Sequence, residues 1–170
     1  TTSGSSYGIT KVKEESELLQ AIKIAFQEGD FVVLESFLDG TEVTCGVYRG
    51  RGGLISLPLT EIQTENEYFD YEAKYLGKSQ EITPARLTKE VTDEIQMQAK
   101  QIYQLLNLKS IIRIDFMVVQ STPYVIEVNT TPGFTSESIV PKMLAVAGQS
   151  ITEFWREILE VELKGSQRIQ

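Results

Sequence analysis

Two hydrophobic runs within residues 110–129 constrain the fold of this chain more than any other feature. The runs are SIIRIDFMVV, from Ser110 to Val119, and YVIEVN, from Tyr124 to Asn129. Between them lies the short polar break Gln120, Ser121 and Thr122, so they predict an antiparallel β-hairpin. Pairing centred on that break places Asp115 opposite Glu127 and Arg113 opposite Asn129.

The hairpin predicts a polar site on one face of a sheet. Because side chains alternate along a strand, Arg113, Asp115, Glu127 and Asn129 should all point to the same side. Charged residues in such apolar strands are rare unless they are paired or bind something. The apolar residues predicted to cover the other face are Ile112, Ile114, Phe116, Val118, Tyr124, Ile126 and Val128.

Two acids in facing positions require a cation between them. Their β-carbons would be about 5 Å apart, where like charges destabilise a strand pair. Magnesium binds one or two carboxylates and takes other oxygens from amides, water and phosphates, so Asp115, Glu127 and Asn129 are candidate ligands. The alternative is a structural cluster in which Arg113 forms a salt bridge with Asp115 or Glu127. The residues of the hairpin leave both interpretations open.

Charge and composition narrow the classes of function. The chain has 16 basic and 24 acidic residues, a net charge of −8, which disfavours nucleic-acid binding and favours a small-molecule or protein partner. Cys45 is the one cysteine and histidine is absent, which excludes an internal disulfide, a cysteine-based zinc site and a histidine-dependent hydrolase triad. Neither a membrane-spanning apolar run nor a secretion signal is seen, so we expect a cytoplasmic protein without a membrane partner.

Hydrophobic periodicity predicts four helices. The first should run from about Glu14 to Glu28, and a second should begin at the cap residue Thr88. A third is expected around residues 139–147, and a fourth should start from a capping box. The apolar positions of the second are Val91, Ile95, Ala99, Ile102 and Leu106, and the capping box of the fourth consists of Ser150 and Glu153.

Extended segments and one long loop complete the predicted elements. Residues 31–37, FVVLESF, and residues 41–50 should form a hairpin around Asp39-Gly40, and residues 54–63 should be extended. Residues 64–80 combine charge with four aromatics but lack a sustained period. Such a segment is typical of an ordered functional loop. The order of elements predicts the α+β class, with antiparallel hairpins and helices packed on a sheet face.

Three segments, taken in order, resemble a known family. They are GSSYG at 4–8, YEAKY at 71–75, and RIDF followed by EVNTTPGFTSESIVP within 113–141. Together they are similar to the D-alanine–D-alanine ligase family of the ATP-grasp superfamily, over a length from Ser3 to about Leu163.

The resemblance implies a partial ATP-grasp fold with a mixed, largely antiparallel sheet and helices. Residues 1–46 would be the end of the central subdomain, residues 47–165 the C-terminal subdomain, and residues 166–170 a tail. The resemblance also implies that the full-length protein is a homodimer.

Members of that family phosphorylate the carboxylate of one D-alanine with ATP, and the amine of a second D-alanine then attacks the acyl phosphate. The resemblance therefore implies ATP and D-alanine as substrates and a role in peptidoglycan precursor synthesis. It also implies two Mg²⁺ ions, for which Mn²⁺ can substitute, held by Asp115, Glu127 and Asn129. Arg113 and the backbone amide of Gly133 would stabilise the oxyanion formed when the amine attacks.

Further roles follow from the resemblance at the phosphate end of the site. Ser5 and Ser6 would close over the phosphates and the first substrate. Lys74 would bind ATP and contact the transferred phosphoryl group, and Tyr75 would bond Ser5.

The resemblance also assigns two binding pockets. Ser138 and Ile139, at a helix N-terminus, would receive the carboxylate of the second substrate. The adenosine pocket would be formed by Glu35, Phe37, Leu38 and Glu42.

The chain departs from the family pattern in several ways. It opens at Thr1, so the N-terminal lobe and two phosphate-binding lysines of the family cannot be assigned, and we expect the isolated chain to have little or no ligase turnover. Glu137 replaces a position commonly occupied by histidine or another neutral polar residue, and Tyr7 replaces a small aliphatic one. Two competing functions are another ATP-grasp carboxylate-amine ligase with a different amino acid, and a non-catalytic nucleotide-binding module.

Overall fold

A computed structural model of the chain describes residues 6–64 and 79–166. Within these residues the helices are α1 Glu15–Ala25, α2 Lys89–Leu105, α3 Ile139–Val146 and α4 Ile151–Ser166. The strands are β1 Thr41–Gly50, β2 Gly53–Ser56, β3 Thr60–Thr64, β4 Ser79–Ile82, β5 Ile111–Val119 and β6 Thr122–Asn129. In this part of the chain, none of the helices is both long enough and apolar enough to cross a lipid bilayer.

The six strands form one sheet in the order β4-β3-β1-β5-β6, and β2 also pairs with β1. The pairings of β1 with β2, β3 and β5 are antiparallel, as is that of β5 with β6. Strand β1 aligns Thr44 with Asp115 and Gly46 with Arg113. The predicted α+β class with a largely antiparallel sheet is therefore confirmed.

Contacts divide the chain into two compact units. The first comprises residues 1–38 and 64–80, and the second comprises residues 39–63 and 81–170. The subdomain boundary predicted after residue 46 lies inside β1, whose residues all belong to the second unit. The assignment of residues 1–46 and 47–165 to two subdomains stays a prediction.

The predicted strand at residues 31–37 is wrong. These residues have no strand structure, and Phe31, Val33 and Leu34 are exposed by 76%, 61% and 69%. A strand requires a neighbour that accepts and donates its backbone hydrogen bonds, and within the described residues none pairs with this segment. The expected hairpin around Asp39-Gly40 therefore does not form, although the predicted second strand is present as β1.

Helix α1 is shorter than predicted because its last turn tightens. The backbone N–H of Gln27 donates to the carbonyl of Ile24 at 3.0 Å, and that of Glu28 donates to Ala25 at 3.1 Å. These bonds span three residues instead of four, which is common where a helix frays.

The first core cluster lies between the sheet and α2. Thr88 caps this helix as predicted, because its hydroxyl accepts a hydrogen bond from the backbone N–H of Val91 at 3.4 Å. The buried stripe of α2 is Val91, Ile95, Ala99 and Tyr103. It packs on the sheet residues Val43, Cys45, Val47, Ile112, Ile114, Phe116 and Val118. Predicted apolar position Leu106 is instead 53% exposed at the end of the helix.

Cys45 lies in the middle of this first cluster. Its side chain is fully buried, and burial raises the pKa of its thiol to about 12. The thiol is therefore a packing group and not a nucleophile.

The second core cluster lies on the opposite side of the sheet. Tyr48 and Ile111 share a face with Thr44 and Arg113 by strand alternation. Helices α3 and α4 cover the cluster, whose buried members are Tyr48, Leu57, Ile111, Val140, Met143, Leu144, Phe154 and Ile158. The two helices thus cover the end of the face that continues into the polar hairpin residues.

The predicted capping residues Ser150 and Glu153 form half of a capping box at the start of the last helix. The backbone N–H of Glu153 donates to Ser150 Oγ at 3.2 Å, and Ser150 Oγ donates to Glu153 Oε2 at 3.1 Å. One orphan backbone N–H at the start of α4, that of Glu153, is thereby satisfied, and the second bond runs between the two side chains.

A bidentate ion pair fixes β3 to the segment after β4. Arg86 Nε donates to Glu61 Oε2 at 3.0 Å, and Arg86 Nη2 donates to Glu61 Oε1 at 2.5 Å. These side-chain hydrogen bonds are the main cause of a lowered pKa of Glu61, with a smaller contribution from the Arg86 amide.

This pair predicts a pH-dependent contribution to stability. A carboxylate whose native pKa lies below its usual value of 4.5 stabilises the fold above that pH and loses its contribution as pH falls through the native pKa. We expect Glu61→Gln to lower the melting temperature by a few degrees at pH 7 and by less at an acidic pH below 4.5. Thermal denaturation followed by circular dichroism at both pH values measures this. An equal loss at both would contradict the assignment.

Candidate functional site

The predicted hairpin forms from β5 and β6, and the predicted register is confirmed from Arg113 to Asp115. Arg113 is aligned with Asn129 and Asp115 with Glu127. The connecting turn is Gln120-Ser121, with φ of 48° and 69°. Positive φ at both central residues gives the two-residue turn whose twist matches that of its strands.

A β-bulge follows the facing acids. The register shifts after Asp115, so that Phe116 pairs with Val125 and Ile126 becomes an extra residue. The prediction that Tyr124 and Ile126 cover the apolar face is wrong, because they are 45% and 53% exposed. A bulge adds one residue to one strand and reverses the alternation beyond it, which a period of two cannot reveal.

The four polar residues of the hairpin meet in one hydrogen-bonded cluster. Arg113 Nε donates to Asp115 Oδ1, and Arg113 Nη2 donates to Asp115 Oδ2, both at 2.8 Å. Asn129 Nδ2 donates to Asp115 Oδ2 at 3.0 Å and to Glu127 Oε1 at 3.2 Å. Asp115 is buried, whereas Glu127 is exposed. The salt bridge that the sequence allowed as a structural alternative is therefore present.

The electrostatic surroundings of Arg113 include a third acid. Burial opposes its charge, but the hydrogen bonds and charge of Asp115, with the charges of Glu127 and Glu42, outweigh burial and raise the pKa of the guanidinium. Strand β1 aligns Glu42 with Met117, which alternation places on the same face as Asp115. Three carboxylates therefore act on one guanidinium, and this face attracts cations.

The donor set of the cluster fits a magnesium ion. Half a turn of the Asn129 amide about its Cβ–Cγ bond exchanges Nδ2 for Oδ1, so that an oxygen faces both carboxylates. Two carboxylates and one amide oxygen then converge. In the described part of the chain, no group of three or more acidic or cysteine side chains is arranged to hold a metal ion. A smaller set suits Mg²⁺, which usually keeps several water or phosphate ligands.

The loop before α3 brings three other predicted site residues together. Ser138 is the N-cap residue of α3, which begins at Ile139, but its side chain makes no capping bond. Instead, Ser138 Oγ accepts a hydrogen bond from the backbone N–H of Thr135 at 3.0 Å. A Cβ added to Gly133 would lie 3.0 Å from Ser138 Oγ, so the loop approaches the helix start closely. The uncapped N-terminal amides of α3 favour an anion.

The remaining predicted site residues are distributed over the chain. Lys11 Nζ lies 3.7 Å from the ring centre of Phe37, in the first unit. Ser6 has a φ of 61° and forms a turn with Ile9. Glu35 and Leu38 also belong to the first unit, whereas Glu42 belongs to the second. The predicted residues Ser5, Lys74 and Tyr75 lie outside the described residues.

The sequence alone does not indicate that Glu42 acts on Arg113. The family resemblance implies only a place for Glu42 in the adenosine pocket. Glu42 lies near Arg113 because β1 pairs with β5, although the two strands are far apart in sequence. The sequence offers one indication of this pairing, which is that both segments are predicted strands of similar length.

Comparisons with known proteins agree with this fold. Residues 1–160 match the family profile described as D-ala D-ala ligase C-terminus. The D-alanine–D-alanine ligase of Flavobacterium johnsoniae is 48% identical over 160 residues, which are 94% of this chain and 50% of the relative.

Two solved structures are similar in fold and sequence. A D-alanine–D-alanine ligase from Bacillus anthracis complexed with ATP has a TM-score of 0.76 and 27% identity, covering 92% of this chain and 50% of its own. A D-Ala:D-Ser ligase from Enterococcus faecalis has a TM-score of 0.79 and 37% identity, covering 92% of this chain and 46% of its own.

The family profile is that of the C-terminal part of the ligases, and the alignments cover about half of each relative. The chain spans about half the length of the curated relatives it matches. Its fold is a partial ATP-grasp fold, as predicted. On the strength of a profile match over nearly its whole length, the chain belongs to the D-alanine–D-alanine ligase family, of which it carries the C-terminal part.

Proposed function

We propose that this chain is the ATP- and Mg²⁺-binding part of a cytoplasmic enzyme that ligates two D-alanine molecules for peptidoglycan precursor synthesis. The observation that carries the proposal is the cluster on the β5–β6 hairpin, where two carboxylates and an amide meet beside Arg113. Support for the substrates comes from the relatives, which are named D-alanine–D-alanine ligases, and from the Bacillus anthracis protein, which was solved with ATP.

Asp115, Glu127 and Asn129 would hold the metal, with two Mg²⁺ ions and Mn²⁺ as a substitute. Bound there, the metal neutralises charge on the phosphates during transfer. Asp115 lies on β5, which pairs on both sides, so its carboxylate is held on a rigid element. In the first step, a carboxylate oxygen of D-alanine attacks the γ-phosphorus, and ADP leaves.

Arg113 and the Gly133 amide would act in the second step. The amine of the second D-alanine attacks the carbonyl carbon of the acyl phosphate, which places negative charge on the carbonyl oxygen. The carbonyl then re-forms as phosphate leaves and the amine loses a proton. Arg113 keeps its charge at any physiological pH, because its surroundings raise its pKa further. A charged guanidinium is a suitable donor to the developing oxyanion.

The start of α3 would bind the second substrate. Ser138 makes no capping bond with its side chain, so the amides that begin α3 at Ile139 suit an anion, whereas the N–H of Ser138 donates to the Thr135 carbonyl at 3.0 Å. The carboxylate of the second D-alanine is such an anion. Binding it here would aim its amine at the acyl phosphate.

The other assignments rest on the family resemblance. Ser5 and Ser6 would enclose the phosphates, Lys74 would contact the transferred group, and Tyr75 would bond Ser5. The adenosine pocket would consist of Glu35, Phe37, Leu38 and Glu42. The full-length protein would be a homodimer.

A different second amino acid is the competing function. The Enterococcus faecalis relative at 37% identity is a D-Ala:D-Ser ligase. Glu137, next to the residues proposed to bind the second substrate, is exposed and departs from the family pattern. These two observations make D-serine the competing second substrate.

A hybrid enzyme tests the proposed function. The 160 residues that are 48% identical to the Flavobacterium johnsoniae ligase replace the matching half of that enzyme. We expect Mg²⁺-dependent release of phosphate from ATP that requires D-alanine, together with formation of the dipeptide. The parent ligase is the control. A hybrid that binds Mg-ATP but forms no dipeptide contradicts the proposal, and a preference for D-serine as second substrate selects the competing function.

A further inference from the structure

Arg113 already occupies the carboxylate that is proposed to bind metal. Each oxygen of Asp115 accepts a hydrogen bond from Arg113, both at 2.8 Å. The side chains of Asp115 and Arg113 are only 10% and 22% exposed. The carboxylate is thus shielded from solvent and neutralised by a cation that belongs to the chain itself.

Three of the four lone-pair sites of the Asp115 carboxylate are in use, one on Oδ1 and two on Oδ2. A carboxylate oxygen has two lone-pair sites. Asp115 Oδ2 accepts from both Arg113 Nη2 and Asn129 Nδ2, the latter at 3.0 Å, so both of its sites are in use. A metal ion can bind this oxygen only if one donor leaves. The half turn of the Asn129 amide removes one donor from Asp115 Oδ2. The Arg113 guanidinium and the divalent ion would then both contact the Asp115 carboxylate.

We propose that Arg113 is an internal counterion that competes with the divalent ion for Asp115, so that metal binding releases its guanidinium. This proposal rests on the metal site proposed above. Without metal, Arg113 screens the acids of the hairpin from one another. With metal, two positive charges beside Asp115 repel each other, and the guanidinium turns away.

The released guanidinium stays on the same face of the sheet. Glu127 and Glu42 both act electrostatically on Arg113, so it remains attracted to this side after leaving Asp115. Its five N–H donors are then free for an anion. Metal binding would therefore make the oxyanion donor available only when the phosphates can also be bound.

Manganese binding by the full chain tests the competition. The probe is Mn²⁺ alone, titrated into the chain and into Arg113→Met, with free Mn²⁺ measured by electron paramagnetic resonance. Because methionine leaves both Asp115 oxygens available, we expect affinity about tenfold higher or more in the variant. Arg113→Lys, which keeps the charge but cannot form two parallel bonds, should show a smaller increase.

Arg86→Met is the matched control. Arg86 forms the same bidentate pair with buried Glu61, but its other side-chain partner there is the neutral Gln63. Freeing a single carboxylate should leave Mn²⁺ affinity unchanged. Thermal denaturation with and without Mn²⁺ provides a second measurement, in which Mn²⁺ should stabilise Arg113→Met more than the unmodified chain.

The outcomes separate the two proposals. If the unmodified chain binds Mn²⁺ through Asp115 and neither Arg113 variant binds more tightly, the metal site stands and the competition is wrong. If neither the chain nor the variants bind Mn²⁺, both the proposed metal site and the proposed competition are wrong. If Arg113→Met does not fold, a lack of tighter binding by Arg113→Lys overturns the competition.

Discussion

Changing Asp115 to Asn is expected to lower Mg²⁺-dependent ATP binding and dipeptide formation by about 100-fold or more in the hybrid ligase. The substitution keeps the size of the side chain but removes its negative charge. Asp115 is in direct contact with both Arg113 and Asn129, so its loss affects the metal and the oxyanion donor together. Equilibrium ATP binding with and without Mg²⁺, followed by kcat/KM for D-alanine, measures the effect.

The control for this substitution is Asp93→Asn. Asp93 is an exposed acid on α2 that pairs with Lys89, one turn earlier on the same helix. Its change should leave ATP binding and turnover intact. Unaltered Mg²⁺-dependent binding in Asp115→Asn would remove the metal assignment. If Asp115→Asn lowered the melting temperature but left ATP binding and turnover unchanged, the Arg113–Asp115 pair would be a structural salt bridge only.

Phe154→Ala is expected to lower the free energy of unfolding by about 3–5 kcal/mol. The side chain is fully buried. Its ring lies 5.0 Å from that of Tyr48, 5.5 Å from that of Phe134 and 5.1 Å from that of Trp155. Alanine would leave a cavity that three large rings cannot fill without breaking their own contacts. Urea denaturation followed by circular dichroism measures the loss.

Leu159→Ala provides the comparison within the same helix. Leu159 also lies on α4 but is 57% exposed, so its truncation should cost well under 1 kcal/mol. If the two variants lost equal stability, the second core cluster would not be what holds α3 and α4 on the sheet.

The elements that could be predicted are those whose signals are local. Pairing centred on the polar break predicted the facing of Asp115 with Glu127 and of Arg113 with Asn129, and Thr88, three residues before Val91, predicted the start of α2. The strand expected at residues 31–37 does not form, because an apolar run with β-branched residues shows β propensity but not a partner strand. The bulge at Ile126 could not be predicted either, because an extra residue in a strand does not change its amino-acid composition.

In the candidate site, too, features set by local sequence could be predicted and features set by long-range contacts could not. The four hairpin residues could be placed on one face from alternation within each strand together with the predicted pairing of the two strands. The contribution of Glu42 depends on β1 pairing with β5, and the Glu61–Arg86 pair depends on how β3 meets the segment after β4. Contacts between segments distant in sequence come from packing of the whole sheet, which no window of the sequence contains.

The position of the hairpin in the sheet affects the mechanics of the site. Among the described strands, β5 has a neighbour on each side, whereas β6 is bordered by β5 alone. Asp115 is therefore anchored, while Glu127 and Asn129 sit on a strand that can fray. An ion bound by Asp115 together with Glu127 and Asn129 would link β6 to β5. Local opening of β6 would therefore become less frequent as more of the sites are occupied by metal.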